Sequence, residues 1–397
     1  MYTAIGFRLS RRTGVAPVST YAEIMLLSIA NHPRDYAWGS TTLLAALEGR
    51  VPSASPEAEV WFGDHPGDPA DVSTGGTLDE VTGGSLPYLL KLLAAADPLS
   101  IQVHPTREQA REGFAREAGM DAGDPARNYR DANHKPELIV ALSERFEALA
   151  GLRPVAETKR LLESFPDSVG MRELRERLDT GEEAAALRAT IGWLLSGEAA
   201  GEVAEIIAAL FAAESQEFAE ALNALRAIAE RCPGDPGVVV AMLMNFVVLA
   251  PGEAIFLRAG LLHAYVSGLG VEIMAASDNV LRGGLTPKHI DVDELLAIVD
   301  TTPAAVPVQP STGEVTVYDV PVDDFALRRV LVDGEYRTEV SGPTMVLATR
   351  GELTVSGASE TGVPVAIGSA VFASSDEPEL VLSGAGEAFI AEPGAAV

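Results

Sequence analysis

Strict alternation of apolar and polar side chains marks one short stretch of the chain, residues 99–104. This stretch reads Leu-Ser-Ile-Gln-Val-His and lies between Pro98 and Pro105. A period of two is typical of a β-strand with one buried face, so Ser100, Gln102 and His104 are predicted to point the same way. Gln and His both offer lone pairs that bind divalent metals, although a polar strand face with a hydrogen-bonded histidine has the same pattern.

Apolar runs predict further strands on both sides of this stretch. Leu86–Leu93 predicts a buried strand that leads into it. The segment from His134 to Leu142 predicts a strand that begins at Pro136, because proline is tolerated at a strand start or edge. Further predicted strands are Tyr36–Ser40, Ala58–Gly63, Ala254–Arg258, Gly270–Ala275 and the apolar run Val238–Ala250.

The same alternation orients two further pairs of polar side chains. Lys135 and Glu137 are predicted to share one strand face, with His134 pointing away. Glu272 and Met274 are predicted to share a face of the strand Gly270–Ala275.

Helical composition predominates between about residues 154 and 230. Glu, Ala, Leu and Arg are frequent there and β-branched runs are few, which predicts helices over 182–196, 203–213 and 215–231. Thr106–Ala118, with Thr106 as its cap, and Asp291–Val299 are predicted to be helices as well. After about residue 302, short strand patterns separated by glycine turns predict a separate β domain.

Charge and cysteine content narrow the classes of partner and compartment. The 397 residues carry 57 acidic and 29 basic side chains, a net charge of −28, which disfavours nucleic acid and anionic membranes as partners. No apolar run approaches the roughly 20 residues that span a bilayer. The single cysteine, Cys232, excludes an internal disulfide framework, so a reducing cytoplasm is expected.

The first residues of the chain differ from the rest. Residues 1–22 contain Arg8, Arg11 and Arg12 but no acidic residue. Such a start occurs in transit peptides, but a disordered extension over residues 1–24, or translation from Met25, is the simpler interpretation.

Spacing around His263 resembles a cupin motif. Gly252, then Arg258-x-Gly260-x-x-His263, is close to the second cupin motif, with arginine at the proline position. Gln102-x-His104 then stands at the first motif, and Glu137 serves as a displaced carboxylate. Two nitrogens and two oxygens with an open position favour a catalytic metal; zinc is the default, and iron, manganese and cobalt stay open.

Five ordered blocks give a more specific resemblance. They are residues 36–40 (YAWGS), 59–66 (EVWFGDHP), 99–105 (LSIQVHP), 134–137 (HKPE) and 277–288 (SDNVLRGGLTPK). Together they resemble the signature blocks of type I mannose-6-phosphate isomerases over most of residues 25–290. The segment after residue 302 resembles the second cupin-like domain of that family only in character.

The resemblance implies a mainly β fold with a helical insert. A cupin-type β-barrel or jelly-roll catalytic domain is expected over 25–153 and 236–302, a helical domain over 154–235 and a second cupin-like β domain over 303–397. It also implies one Zn²⁺ per chain, held by Gln102, His104, Glu137 and His263, with Arg282 as the catalytic arginine. The expected reaction interconverts mannose 6-phosphate and fructose 6-phosphate through a cis-enediol, and a monomer or weak homo-oligomer is expected.

The roles of the remaining residues are hypotheses from chemistry. Lys135 is the first candidate for the proton-transferring base and Glu272 the second, while an ion pair with Glu137 is the alternative role of Lys135. Ser100 and Lys288 are the candidate donors to the substrate phosphate.

Two other functions are compatible with parts of this pattern. An Fe(II)-dependent cupin oxygenase also uses two histidines, a glutamate and an open position. A non-catalytic sugar-binding cupin would keep the fold without turnover. The Gln-x-His variant and the loop that carries Arg282 argue against the oxygenase. The sugar-binding protein is disfavoured because all five candidate site residues are present: Gln102, His104, Glu137, His263 and Arg282.

Overall fold

A computed structural model describes residues 26–357 and 362–395 of the chain, so the expectation for residues 1–24 lies outside the described residues. The described chain is mainly β, with antiparallel strand pairing in two sheets. The strands are β1 (Leu26–Ala30), β2 (Glu59–Phe62), β3 (Asp71–Val72), β4 (Tyr88–Ala95), β5 (Gln102–Val103), β6 (Glu137–Ala141), β7 (Phe146–Leu152), β8 (Met244–Leu249), β9 (Ala254–Leu257), β10 (His263–Ala275), β11 (Leu281–Arg282), β12 (Val308–Gln309), β13 (Val315–Val317), β14 (Ala326–Glu339), β15 (Thr344–Gly357), β16 (Val363–Val365), β17 (Ala370–Ala373) and β18 (Glu379–Glu392).

Most helices lie between β7 and β8, where the composition predicts them. Their amphipathic faces pack into a shared apolar core that includes Leu174, Ile191 and Leu225. The helices are α1 (Leu43–Leu47), α2 (Leu78–Thr82), α3 (Arg107–Arg116), α4 (Val155–Glu163), α5 (Val169–Leu178), α6 (Glu183–Leu195), α7 (Ala200–Leu210), α8 (Ala219–Arg231), α9 (Gly237–Met242) and α10 (Val292–Ile298).

Strand β10 organises the sheet that carries the polar residues. It is 13 residues long. The first part of β10 pairs with β5 and β7, and the later part pairs with β4 and β6. Because so many neighbours converge on one strand, side chains from distant parts of the sequence share one sheet face. Ten strands belong to this sheet within the described chain.

Eight of the described strands form the other sheet, which contains most of the chain after residue 310. Its two longest pairings join β18 to β14 and to β15. Strands β1 and β3, from the beginning of the described chain, also belong to this sheet through pairing of β1 with β17. The division into domains drawn from composition stays a prediction.

An apolar core joins the two sheets. Leu90 and Val271 from the first sheet belong to the same buried cluster as Leu347 and Phe389 from the second. The hydroxyl of Tyr88 donates to backbone carbonyls on the far side of this core, at 2.9 and 3.0 Å. The sheet that carries the polar residues therefore packs against the other sheet along an apolar interface.

Several predicted elements are confirmed. Thr106 caps α3, with its hydroxyl accepting from the Gln109 backbone amide at 3.2 Å, and Asp291 caps α10 in the same way. The predicted buried strand before the alternating stretch is β4, all of whose residues are buried.

Three predicted strands differ from the structure. The run Val238–Ala250 forms α9 before β8, because Pro236 begins a helix and a run that is apolar throughout carries no period. Tyr36–Ser40 makes isolated bridges at Gly39 and Ser40 rather than a strand. In the stretch 99–104, regular pairing covers only β5, because its backbone alternates between two partners: the Leu99 amide bonds Tyr265 and the Ile101 amide bonds Gly284.

No helix in the described part of the chain is long and apolar enough to cross a membrane.

Candidate metal centre

One register row brings three of the predicted site residues side by side. Gln102 in β5 pairs with His263 in β10 on one edge and with Arg282 in β11 on the other. Directly paired residues project from the same face of a sheet with Cβ atoms about 5 Å apart. The alternation in residues 99–104 and the register of β10 therefore place these side chains in one cluster.

Two histidines and a glutamate converge beside this row. The ligand atoms of His104, Glu137 and His263 all lie within 4.8 Å of one another. The Nε2 atom of His104 lies 3.3 Å from Oε1 of Glu137, and Nε2 of His263 lies 3.4 Å from Oε2. All three side chains are at least 95% buried, with exposed fractions of 1%, 3% and 4%.

Hydrogen bonds to the other ring nitrogen fix the orientation of both imidazoles. Nδ1 of His104 donates to the Asn279 carbonyl at 2.7 Å, and Nδ1 of His263 donates to the Leu261 carbonyl at 3.0 Å. Each Nε2 therefore faces the carboxylate of Glu137, and in a neutral ring it carries the lone pair. Nε2 of His104 has no hydrogen-bond partner among the described residues. This is the arrangement that metal-ligating histidines adopt, because a backbone carbonyl commonly accepts the other ring proton.

Burial and charge set the protonation states that a cation needs. Burial lowers the pKa of His104 to about 4, and the attraction of Glu137 offsets this only in part, so the imidazole is neutral near pH 7. Burial would raise the pKa of Glu137, but Lys135 and His104 outweigh it and hold that pKa well below its ordinary value. Neutral imidazoles and an ionised carboxylate are the forms that bind a divalent metal, so the residues present fit such an ion.

Gln102 completes this set with an amide. Its nitrogen donates to the hydroxyl of Ser100 at 3.3 Å. Its carbonyl oxygen accepts no hydrogen bond from any described residue and is available to a cation.

Lys135 lies next to the carboxylate. Its Nζ atom is 2.8 Å from Oε1 of Glu137, so the ion pair weighed as the alternative role of Lys135 is present. The two side chains share a face, as alternation predicts, whereas the neighbouring His134 points to Asp324 at 2.6 Å.

A second buried ion pair lies on the same sheet face. Lys91 in β4 pairs with Glu272 in β10, with Nζ 2.9 Å from Oε2, and Glu59 lies 3.9 Å away. Burial raises the pKa of Glu272 even though Lys91 opposes this effect. For Lys91, burial would lower the pKa, but the carboxylates of Glu272 and Glu59 raise it overall, so the amine is charged.

A cleft of about 550 Å³ opens over these residues. Ser100, Gln102 and Lys135 line it together with Arg282 and Lys288, whereas Glu272 is not among the lining residues. Aromatic side chains form one wall. They are Tyr36, Trp38 and Trp61.

Neither Arg282 nor Lys288 forms a side-chain hydrogen bond or ion pair with a described residue. Burial and the neighbouring Arg130 lower the pKa of Arg282, and burial and Arg282 lower the pKa of Lys288. These cations repel one another and leave their donors free for a ligand.

Asp235 holds the loop that carries Arg282 and Lys288. Both carboxylate oxygens of Asp235 accept backbone amides of this loop, from Leu285 and Thr286, each at 3.0 Å. Leu285 has a φ of 56°, a left-handed conformation that costs energy for a branched side chain. Gly284 packs against Gly237. A Cβ atom at position 284 would lie 2.3 Å from Cα of Gly237, so a side chain there would clash.

Comparison with known proteins decides the family. Residues 26–155 match the family model for the catalytic domain of type I phosphomannose isomerase. The chain is 36% identical to mannose-6-phosphate isomerase of Escherichia coli strain K12 over 387 residues, which covers 90% of this chain and 97% of that protein. It is 30% identical to the human enzyme of the same name, covering 87% of this chain and 92% of that one.

The chain belongs to the mannose-6-phosphate isomerase family.

Solved structures of the mannose-6-phosphate isomerase family share the fold. A zinc-bound mannose 6-phosphate isomerase superimposes with a TM-score of 0.83 at 32% identity, covering 93% of this chain and 100% of that one. A variant of phosphomannose isomerase from Salmonella typhimurium superimposes with a TM-score of 0.84 at 31% identity. The expected mainly β fold class with its helical insert is thereby confirmed.

Proposed function

We infer that this chain is a zinc-dependent aldose–ketose isomerase that interconverts mannose 6-phosphate and fructose 6-phosphate. The observation that carries this is the convergence of two Nε2 lone pairs and an ionised carboxylate beside a cleft lined by free cations. Family membership favours the isomerase over an iron oxygenase or a non-catalytic sugar-binding protein.

Gln102, His104, Glu137 and His263 are the proposed zinc ligands. A bound zinc ion would act as a Lewis acid that stabilises negative charge on the oxygens of the open-chain sugar. The cleft supports this role because Gln102 lines it, while the two histidines and the glutamate lie buried behind.

Arg282 is proposed to stabilise the enediolate. Moving a proton between C2 and C1 places negative charge on an oxygen, and a guanidinium that is already in place lowers the barrier without reorganising. The side chain lines the cleft, its backbone is held by pairing with Gln102, and its donors are free.

Lys135 remains the first candidate for the proton-transferring group. Its ammonium lies at the cleft, whereas Glu272 lies beneath the surface against Lys91. The Nζ atom of Lys135 also lies beside the proposed ligand Glu137, 2.8 Å from Oε1.

Ser100 and Lys288 are the proposed phosphate contacts. Both line the cleft, as Arg282 does. In a chain of net charge −28, a local group of unpaired cations is the feature that admits a sugar phosphate.

Isomerisation in D₂O tests the function. The metal-replete chain is incubated with mannose 6-phosphate, and formation of fructose 6-phosphate and deuterium at the exchanging carbon are followed. We expect His104→Ala to lose both bound zinc and turnover, and Arg282→Ala to keep zinc but lose turnover.

The control is His32→Ala, since His32 is exposed and lies outside the cleft. A rate that survives complete chelation contradicts the zinc assignment. Oxygen consumption that requires ferrous iron indicates the oxygenase, and binding of sugar phosphate without turnover indicates the non-catalytic protein.

Cytoplasmic location and a monomeric or weakly associating state stay predictions. The first depends on the single cysteine of the sequence, Cys232. Size-exclusion chromatography with light scattering at several concentrations measures the second.

A further inference from the structure

One buried asparagine connects two segments that carry proposed zinc ligands. Asn279 lies in the loop between β10 and β11 and has no exposed surface. Its backbone carbonyl accepts the proton on Nδ1 of His104 at 2.7 Å, which orients that imidazole. Its side chain bonds residues 130–133, the segment that leads into Glu137. The backbone and the side chain of one residue therefore contact different parts of the metal centre.

The side-chain amide of Asn279 uses both its oxygen and its nitrogen. Oδ1 accepts the backbone amides of Arg130 at 2.7 Å and Asp131 at 3.3 Å. Nδ2 donates to the backbone carbonyls of Asp131 at 2.9 Å and Asn133 at 2.8 Å. Because a primary amide has two donors and two acceptor lone pairs, these four backbone groups match asparagine and fix the orientation of its amide.

Asp131 strengthens the same connection in the opposite direction. Its carboxylate accepts the hydroxyl of Ser277 at 2.9 Å and the backbone amide of Asp278 at 2.8 Å. Nδ2 of Asn279 lies 3.2 Å from the same carboxylate. Residues 130–133 and 277–279 thus hold one another through side chains from both segments, so a displacement of one segment displaces the other.

This connection affects two of the proposed ligands together. His104 is oriented by the Asn279 carbonyl, and Glu137 follows Asn133 along the chain after Lys135. Groups that hydrogen-bond a metal ligand from behind set its orientation, and their loss typically weakens metal binding by about 10- to 100-fold. Asn279 itself is not among the residues that line the cleft, so it has this influence without facing the sugar.

We propose that Asn279 is a positioning residue that sets the zinc affinity of the metal centre by holding His104 and the segment before Glu137 in register. The proposal rests on the proposed function, since it takes Gln102, His104, Glu137 and His263 as the zinc ligands. It adds a determinant of metal affinity that contacts neither the ion nor the substrate.

Zinc titration of Asn279→Leu tests the proposal. Leucine is close to asparagine in size, adds no charge near the ion and keeps the backbone carbonyl, but it cannot bond residues 130–133. We expect the zinc Kd, measured by competition with a chromophoric chelator, to rise about 10- to 100-fold. With cobalt in place of zinc, the visible absorption band of the bound ion should change, because it reports the geometry of the ligands.

The matched control is Asn31→Leu. Asn31 is half-buried, and its Nδ2 also donates to two backbone carbonyls, those of Trp61 and Asp68, each at 3.3 Å. Neither partner lies in a segment that carries a proposed ligand, so the zinc Kd should stay within about twofold of wild type. Urea denaturation of the metal-free variants separates affinity from stability. A loss of stability in Asn279→Leu with an unchanged zinc Kd overturns the proposal.

If Asn279→Leu does not fold, Asn279→Ser takes its place. Its hydroxyl satisfies one of the partners, so the zinc Kd should rise about threefold, and no rise overturns the proposal. Because zinc is titrated without substrate, the two proposals fail separately. A chain that binds zinc in an Asn279-dependent manner but does not isomerise mannose 6-phosphate keeps this proposal and refutes the proposed function. An active isomerase whose Asn279 variants bind zinc as tightly as wild type does the reverse.

Discussion

The two sheets of this molecule bury different kinds of side chain. Around the cleft, the ten-stranded sheet buries Lys91, Glu137 and Glu272, each less than 6% exposed. At corresponding depth the eight-stranded sheet buries aliphatic side chains such as Val346 and Ile390. Burying a charge costs several kcal/mol unless it is paired, so the buried charges of the ten-stranded sheet reduce the stability of the fold. The apolar side chains buried in the eight-stranded sheet increase it.

The buried carboxylate of Glu387 and the buried imidazole of His104 differ in how they are satisfied. In the eight-stranded sheet, Glu387 accepts from Arg329 at 2.8 Å and from the Thr349 hydroxyl at 2.8 Å. In the ten-stranded sheet, Nε2 of His104 lacks a hydrogen-bond partner within the described residues. A buried polar group that the protein leaves unsatisfied points to a ligand from outside the chain.

Removing the metal should have the largest effect and should act only on the ten-stranded sheet. We expect chelation, or Glu137→Gln, to lower kcat/KM by at least about 1000-fold, because the charge that stabilises the enediolate is lost. At free zinc a thousandfold above its Kd, metal binding adds about 4 kcal/mol to the free energy of unfolding. Thermal unfolding with and without chelator measures this, together with zinc content by mass spectrometry.

The chelator should leave the unfolding temperature of Glu137→Gln unchanged, since that variant has no zinc to lose. If chelation changes neither the unfolding temperature nor the rate of the wild-type chain, the ten-stranded sheet does not bind a functional metal, and the proposed difference between the two sheets is contradicted.

Local patterns predicted the candidate metal ligands because the residues concerned lie in short, recognisable stretches of sequence. Alternation placed Gln102 and His104 on one face, and the register of β10 then adds His263 beside Gln102. The resemblance of the ordered blocks supplied Glu137 and Arg282 from elsewhere in the chain. The roles assigned to these residues stay predictions.

Long-range partners could not be predicted from the same patterns. Lys91 pairs with Glu272 across 181 positions of sequence, and its only local signal is a charged residue inside an otherwise apolar run. His65 lies in one of the ordered blocks, but its contact with Asp278 at the wall of the cleft joins residues 213 positions apart.

Breaking the buried ion pair should have the next largest effect. Lys91→Met leaves Glu272 and Glu59 buried without a cation, and we expect a loss of about 3 kcal/mol in the free energy of unfolding. Urea denaturation measures it. The matched variant in the other sheet, Arg329→Met, leaves Glu387 with its bond from Thr349 and should cost about 1 kcal/mol. Equal losses in the two variants would refute the distinction.

A contact between the two parts of the molecule should have a moderate effect on catalysis. Asp324, next to β14, accepts from His134 at 2.6 Å and from Arg107 at 2.9 Å. Because His134 directly precedes Lys135, we expect Asp324→Asn to lower kcat about tenfold through misplacement of Lys135, with KM and zinc content unchanged. The exposed neighbour serves as control: Asp323→Asn should leave kcat within about twofold. Identical rates in the two variants would show that Asp324 has no positioning role.

The smallest effect should come from removing one methyl group from each sheet. Ile390 and Ile273 are both fully buried, the first within the eight-stranded sheet and the second in β10 between Glu272 and Met274. Replacing isoleucine with valine typically costs about 1 kcal/mol, so both variants should lose similar stability in urea denaturation. Only Ile273→Val should also lower kcat/KM, by about two- to threefold, because its strand carries the side chain that pairs with Lys91. If Ile390→Val lowers kcat/KM as much as Ile273→Val does, the eight-stranded sheet is coupled to the chemistry as tightly as the sheet that bears it, and its role is more than support.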